Sequence, residues 1–162
     1  MRSMLGALIL ALAAASGPTQ AVGAASEGRS FVVRLESWAL VPGQCLKYTV
    51  TPQEIVVSHQ NDHGVKLHEV FRSKLERVQV DPFYAVLQAL PLESLAPEYA
   101  DESVDDGFSM TFELQVGQKS SKTVKLRNEW QADLAMLCRE VNRLIPAKFA
   151  IAVPTQEARS GE

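Results

Sequence analysis

The sequence is poor in the short motifs that announce a reaction. Its 162 residues contain no Gly-x-Ser-x-Gly turn, which excludes the nucleophile elbow of the α/β-hydrolases. No glycine-rich loop of the phosphate-cradling or dinucleotide-binding kind occurs. Cysteine is scarce: Cys45 and Cys138 are the two present, and they are too far apart for a Cys-x-x-Cys redox pair. Excess positive charge is lacking too, with 16 Lys and Arg against 19 Asp and Glu. A mildly acidic chain has no electrostatic footprint for nucleic acid. No basic stripe marks a membrane-surface helix. The longest apolar run, residues 4–15, falls short of the ~20 residues that a bilayer span needs. No stable membrane insertion is therefore expected.

That short apolar run is informative in itself. Arg2 precedes it, Gly17 and Pro18 end it, and small residues follow at Ala21, Val22, Gly23, Ala24 and Ala25. A positive start, an apolar centre and a small-residue end make a secretory signal peptide over residues 1–24. The short, alanine-rich form points to a bacterium, and so to a periplasmic or secreted protein. Cleavage there removes one cation and no acid, which makes the mature chain slightly more acidic. The remaining chain, about 138 residues, is long enough to bury a core without several disulfides. In an oxidising compartment an isolated cysteine pair is usually bridged, so a Cys45–Cys138 disulfide is the expectation.

Hydrophobic periodicity gives one α+β domain over residues 29–153, followed by a polar, disordered tail over 154–162. Residues 31–40 alternate as a half-buried strand, with Phe31, Val33 and Leu35 against Arg34 and Glu36. Residues 45–51 form a second strand, with Leu46, Tyr48 and Val50 on one side. Residues 54–60, rich in β-branched side chains, form a third. The segment 65–80 fits both a strand and a helix. A strand continuing the meander is preferred, because the segment follows the hairpin-type turn Asn61-Asp62-His63-Gly64. Asp81 and Pro82 then read as the N-cap and first position of a helix over 82–90, stopped by Pro91.

Residues 91–107 form a long acidic loop. The clearest pattern comes next. Phe108, Met110, Phe112, Leu114 and Val116 line one face of a strand, and a turn through Gly117 leads to a return strand carrying Val124 and Leu126. An amphipathic helix follows, with Trp130, Leu134, Leu137, Cys138, Val141, Leu144 and Ile145 at helical spacing. Asn128 and Gln131 fit a capping box for it. Residues 148–153 read as a last edge strand. The expected architecture is an antiparallel sheet of five to seven strands with two helices packed on one face.

Few residues point to chemistry. His59, His63 and His68 fall within ten positions, with Asp62 beside them, and imidazoles across a hairpin turn can hold zinc or copper. Their spacing matches no known zinc motif, and the bland reading is a set of solvated turn and strand residues. Glu98, Asp101, Glu102, Asp105 and Asp106 offer oxygen ligands, but Asp106 stands where a calcium loop turns on glycine and Phe112 stands at its twelfth position. Ser58 and His59 point to opposite faces of a strand and form no dyad. Glu113, Glu129 and Glu140 sit at polar surface positions. Trp38 and Trp130 read as core residues rather than stacking platforms. No catalytic residue and no cofactor site is assigned.

The layout nevertheless resembles one group of domains. Gly43-x-Cys45 opens a strand, the Tyr48–Val50 strand, a turn, a second strand and a helix follow, and an acidic Asp precedes a hairpin and a terminal amphipathic helix. Over residues 31–144 this is similar to uncharacterised α+β domains of bacterial exported and lipid-anchored proteins. The chain lacks the second cysteine that those domains often place shortly after the first. The resemblance implies a fold and a location, and carries no activity.

Three classes of function remain. The preferred one is a non-enzymatic protein-binding module of the bacterial envelope, with an inhibitor or immunity-type protein as one form of it. Its partner would be another envelope or secreted protein. The second is a periplasmic metal-binding protein using the three histidines. The third is a small hydrolase whose site the sequence does not display. Oligomeric state is left open.

Overall fold

In the computed structural model, residues 29–38, 45–60, 67–104, 107–118 and 120–154 are described. Seven strands form one sheet: β1 Phe31–Trp38, β2 Cys45–Val50, β3 Glu54–Gln60, β4 Leu67–Lys74, β5 Glu98–Ala100, β6 Ser109–Val116 and β7 Ser120–Arg127. Two helices join them, α1 Arg77–Ala89 and α2 Ala132–Arg143. The spatial order is β4-β3-β2-β1-β6-β7-β5, which puts β1 in the middle. The expected α+β class is borne out. The expected antiparallel sheet is corrected: β5 runs parallel to β7, so the sheet is mixed. The signal peptide, the turns at 41–44 and 61–64, and residues 155–162 of the tail lie outside the described residues.

The alternation in the sequence sets which face of each strand is buried. On β1, Phe31, Val33 and Leu35 are buried, and their cross-strand partners Val50, Tyr48, Leu114 and Phe112 are buried with them. These side chains join Val124 and Leu126 of β7, Val80, Phe83 and Leu87 of α1, and Leu134, Leu137, Cys138 and Val141 of α2 in a single hydrophobic cluster. Burying a side chain of this size is worth about 1.5–3 kcal/mol, so the cluster is the main source of stability.

The ambiguous segment 65–80 resolves into both of its readings. Residues 67–74 are strand, as preferred, and the helix begins at Arg77 instead of Pro82. The N-cap is Glu76, whose backbone N–H donates to the Gln79 side chain at 3.0 Å. Pro82 therefore lies inside α1, where it removes the bond to the Val78 carbonyl. Val78 is 73% exposed and Pro82 is exposed, so water can serve that carbonyl. Asp81 takes a different role. It contacts Arg77 one turn before it and Arg29 at 2.6 Å, tying the start of the domain to α1. The Arg29 contact is one of charge, since Asp81 Oδ1 receives no hydrogen bond of proper direction.

The central hairpin forms as expected, with Gly117 at φ +65° in its turn. Its other end differs. Asn128 does not cap α2; it sits at φ +61° and its side-chain amide donates to the Val104 carbonyl at 2.8 Å. Gly107 packs so closely against this amide that a Cβ there would overlap it. Gln131 is the actual N-cap and accepts the Leu134 N–H at 2.9 Å. Trp130 therefore precedes the helix, stacked on Phe108 with ring centroids 4.9 Å apart.

The expected last strand at 148–153 is also corrected. Residues Ala147–Phe149 make one 3₁₀ turn, and the chain then runs irregularly beside α2. The turn makes backbone bonds from Phe149 to Pro146 and from Ala150 to Ala147, and side chains hold the rest of the segment. Asn142 donates to the Ile151 carbonyl at 2.8 Å and accepts its N–H at 2.7 Å. Tyr48 donates to the Phe149 carbonyl at 2.9 Å. Asn142→Ala removes both bonds to Ile151 and is expected to destabilise the protein by about 1–2 kcal/mol in chemical denaturation, with Asn142→Asp, which keeps the acceptor, falling between.

Candidate functional site

The strand parity that buries one set of side chains exposes the other. On the second face, residues line up across the whole sheet in rows fixed by the register. One row runs Leu67, Gln60, Cys45, Trp38, Ser109, Arg127, Ala100. The next runs Glu69, Ser58, Lys47, Glu36, Thr111, Lys125, Glu98. This face is polar and carries several ion pairs: Arg34 with Glu113, Lys47 with Glu36, Arg127 with Glu98, and Arg72 with both Glu54 and Glu69. Exposed pairs of this kind contribute little to stability. They fix a charge pattern on the surface.

Glu36 is the centre of the best-defined cluster there. Its Oε1 accepts the Trp38 indole N–H at 3.0 Å, and its Oε2 lies 2.8 Å from Lys47 Nζ. Cys45 Sγ lies 3.9 Å from Glu36 Oε1 and 3.9 Å from Gln60 Oε1, with one proton to share between them. Trp38 is consequently held by its polar end while the side chain stays 44% exposed. This corrects its expected place in the core. The register gives the reason: Trp38 shares the parity of Arg34 and Glu36, and Leu35 takes the inward position.

The same parity overturns the expected disulfide. Cys45 and Cys138 are both free thiols and both buried. Cys138 belongs to the core cluster. Cys45 shares the parity of Lys47 and Thr49, so it lies on the opposite face of the sheet, opposite Trp38. The sheet separates the two sulfurs. The signal was present in the sequence, because Leu46, Tyr48 and Val50 on one side send Cys45 to the other.

Neither thiol is activated. Burial pushes the Cys45 thiol up to about 11, and the neighbouring Glu36 carboxylate adds to this while Lys47 opposes it. Burial likewise raises Cys138. The thiolate is the nucleophile, so at neutral pH both sulfurs are inert.

No protein-family model matches the chain, and no curated protein matches it either.

The histidines divide. His59 and His68 are directly opposite each other in the β3–β4 ladder, on the face that Leu46 shares. His63 lies outside the described residues. The acidic segment is no simple loop: Glu98 belongs to β5 and pairs with Arg127 at 2.7 Å. Asp101 accepts the Ser103 N–H at 2.9 Å and its hydroxyl, and these bonds hold its carboxyl below the usual range. Asp101 is thus engaged in a local turn, while Asp105 and Asp106 lie outside the described residues. A cleft of about 370 Å³ opens beside this turn, lined by Asp101, Glu102, Phe108, Arg127 and Asn128 among others. Among the described residues, no three His, Cys, Asp or Glu side chains group as metal ligands. No described helix is long and apolar enough to cross a membrane.

The assignment of Cys45 is open to a kinetic check. Alkylation by iodoacetamide at pH 8 is expected to be much slower than for a free cysteine, with the rate rising toward pH 11. Glu36→Gln removes a charge that disfavours the thiolate, so it is expected to lower the midpoint and speed the reaction.

Proposed function

We propose that this protein is an exported, non-enzymatic protein-binding module of the bacterial envelope, and that the Trp38 end of its open sheet face engages the partner. The observation that carries the reading is the row joining Trp38 to Leu67. Trp38 is 44% and Leu67 56% exposed, and both project from the same face. Three strand spacings separate them, about 14 Å. Tryptophan is favoured at the energetic centres of protein interfaces, more so when its polar end is already satisfied. The bond to Glu36 does this for Trp38, and it also limits the side-chain freedom lost on binding.

Two features fit this reading. Buried residues of both helices share one cluster with the inward strand residues, which fits a sheet whose other face meets a partner. The N-terminal pattern of residues 1–24 supports export to the periplasm or beyond.

The test is a pull-down from envelope extract with the mature protein and its Trp38→Ala variant, followed by mass spectrometry. A partner held by the native protein and released by Trp38→Ala, with affinity weakened about thirty-fold or more, is the expected result. Capture of nothing by the native protein, or equal capture by the variant, counts against the reading. Trp38 is outside the core, so the variant should keep the native far-ultraviolet circular dichroism.

A further inference from the structure

We infer that His59 and His68 form a two-imidazole site for a divalent late transition metal, strongest for Cu2+. The inference rests on the ladder register. His59 of β3 stands directly opposite His68 of β4, beyond the point where the register shifts between Val57 and Ser58. Directly opposed residues in an antiparallel pair have Cβ atoms ~4.5–5.5 Å apart and side chains on the same face. Two imidazoles at that separation can converge. Metal–nitrogen bonds of ~2.0–2.1 Å place two adjacent nitrogens of one coordination sphere about 3 Å apart.

The surroundings suit such a site. His68 is exposed and His59 half-buried, so both rings are accessible to an ion. Among the described residues, β4 is the outermost strand of the sheet. The neighbour of His59 on β2 in the same row is Leu46, which packs against the core and brings no competing positive charge. The cations of β4, Arg72 and Lys74, share the parity of Glu69 and lie on the other face. Two protein ligands leave most positions to water. Among divalent ions at nitrogen sites, Cu2+ binds most tightly. Trp38 projects from the opposite face, so this site and the proposed partner surface stand or fall separately.

The experiment is a titration of the protein with Cu2+, read by calorimetry and by electron paramagnetic resonance, with His59→Ala, His68→Ala and His63→Ala alongside. One equivalent is expected to bind with nitrogen coordination. Losing either member of the pair breaks the chelate and should weaken binding about tenfold or more, while His63→Ala retains the site. Unchanged circular dichroism shows that the variants fold. Absence of nitrogen-coordinated Cu2+, or equal affinity in His59→Ala and His68→Ala, overturns the inference. Loss confined to His63→Ala overturns it as well.

Discussion

The side-chain alternation of β1 is the constraint on which the rest depends. β1 is the middle strand and pairs on both sides, with β2 and with β6. Its inward residues Phe31, Val33 and Leu35 set the parity of both neighbours, and these pass it on to β3 and β7. A slip of one residue would send Arg34 and Glu36 into the core and Leu35 into water, at a cost no single strand pair could offset. The bulge between β3 and β4 leaves Val70 without a rung of its own, and the alternation resumes on either side of it. Everything noted about sites follows from this parity. It separates Cys45 from Cys138, brings His59 to His68, and lines Trp38 up with Leu67.

Much of this was legible in the sequence because it is local. The hairpin of β6 and β7 could be read from alternation plus a glycine turn, and α2 from its apolar stripe. The errors came where a strong local signal met a stronger alternative. Asp81 and Pro82 look like a helix start, but Glu76 and Gln79 already provide one five residues earlier, and the lost bond at Pro82 falls on the wet side. Asn128 looks like an N-cap, yet its left-handed backbone and its bond to Val104 use it to close the β7 end. A three-residue strand such as β5 has no periodicity to read, and its parallel pairing depends wholly on where β7 lies.

The candidate surfaces were less legible, for a different reason. A cross-strand pair is a property of two segments in register, and a single-strand pattern does not contain it. His59 and His68 were conspicuous as types, while their opposition needed the β3–β4 register. Residue type alone favours the core for Trp38, whereas counting from Phe31 along β1 puts it outside. The disulfide expectation weighed compartment above geometry, although the alternation of 45–50 already argued against it.

The two margins of the sheet are unlike. At one end lies β4, eight residues long, with no further strand beyond it among the described residues and Arg72 clamped between two glutamates. At the other lies β5, three residues long, fixed by bonds from Lys125 to Pro97 and from Asp101 to Arg127. A growing ribbon of molecules joined strand to strand needs two receptive margins on every copy. Among the described residues the sheet has one long margin, β4, and one short one, β5, so strand-to-strand joining through β4 closes at a pair.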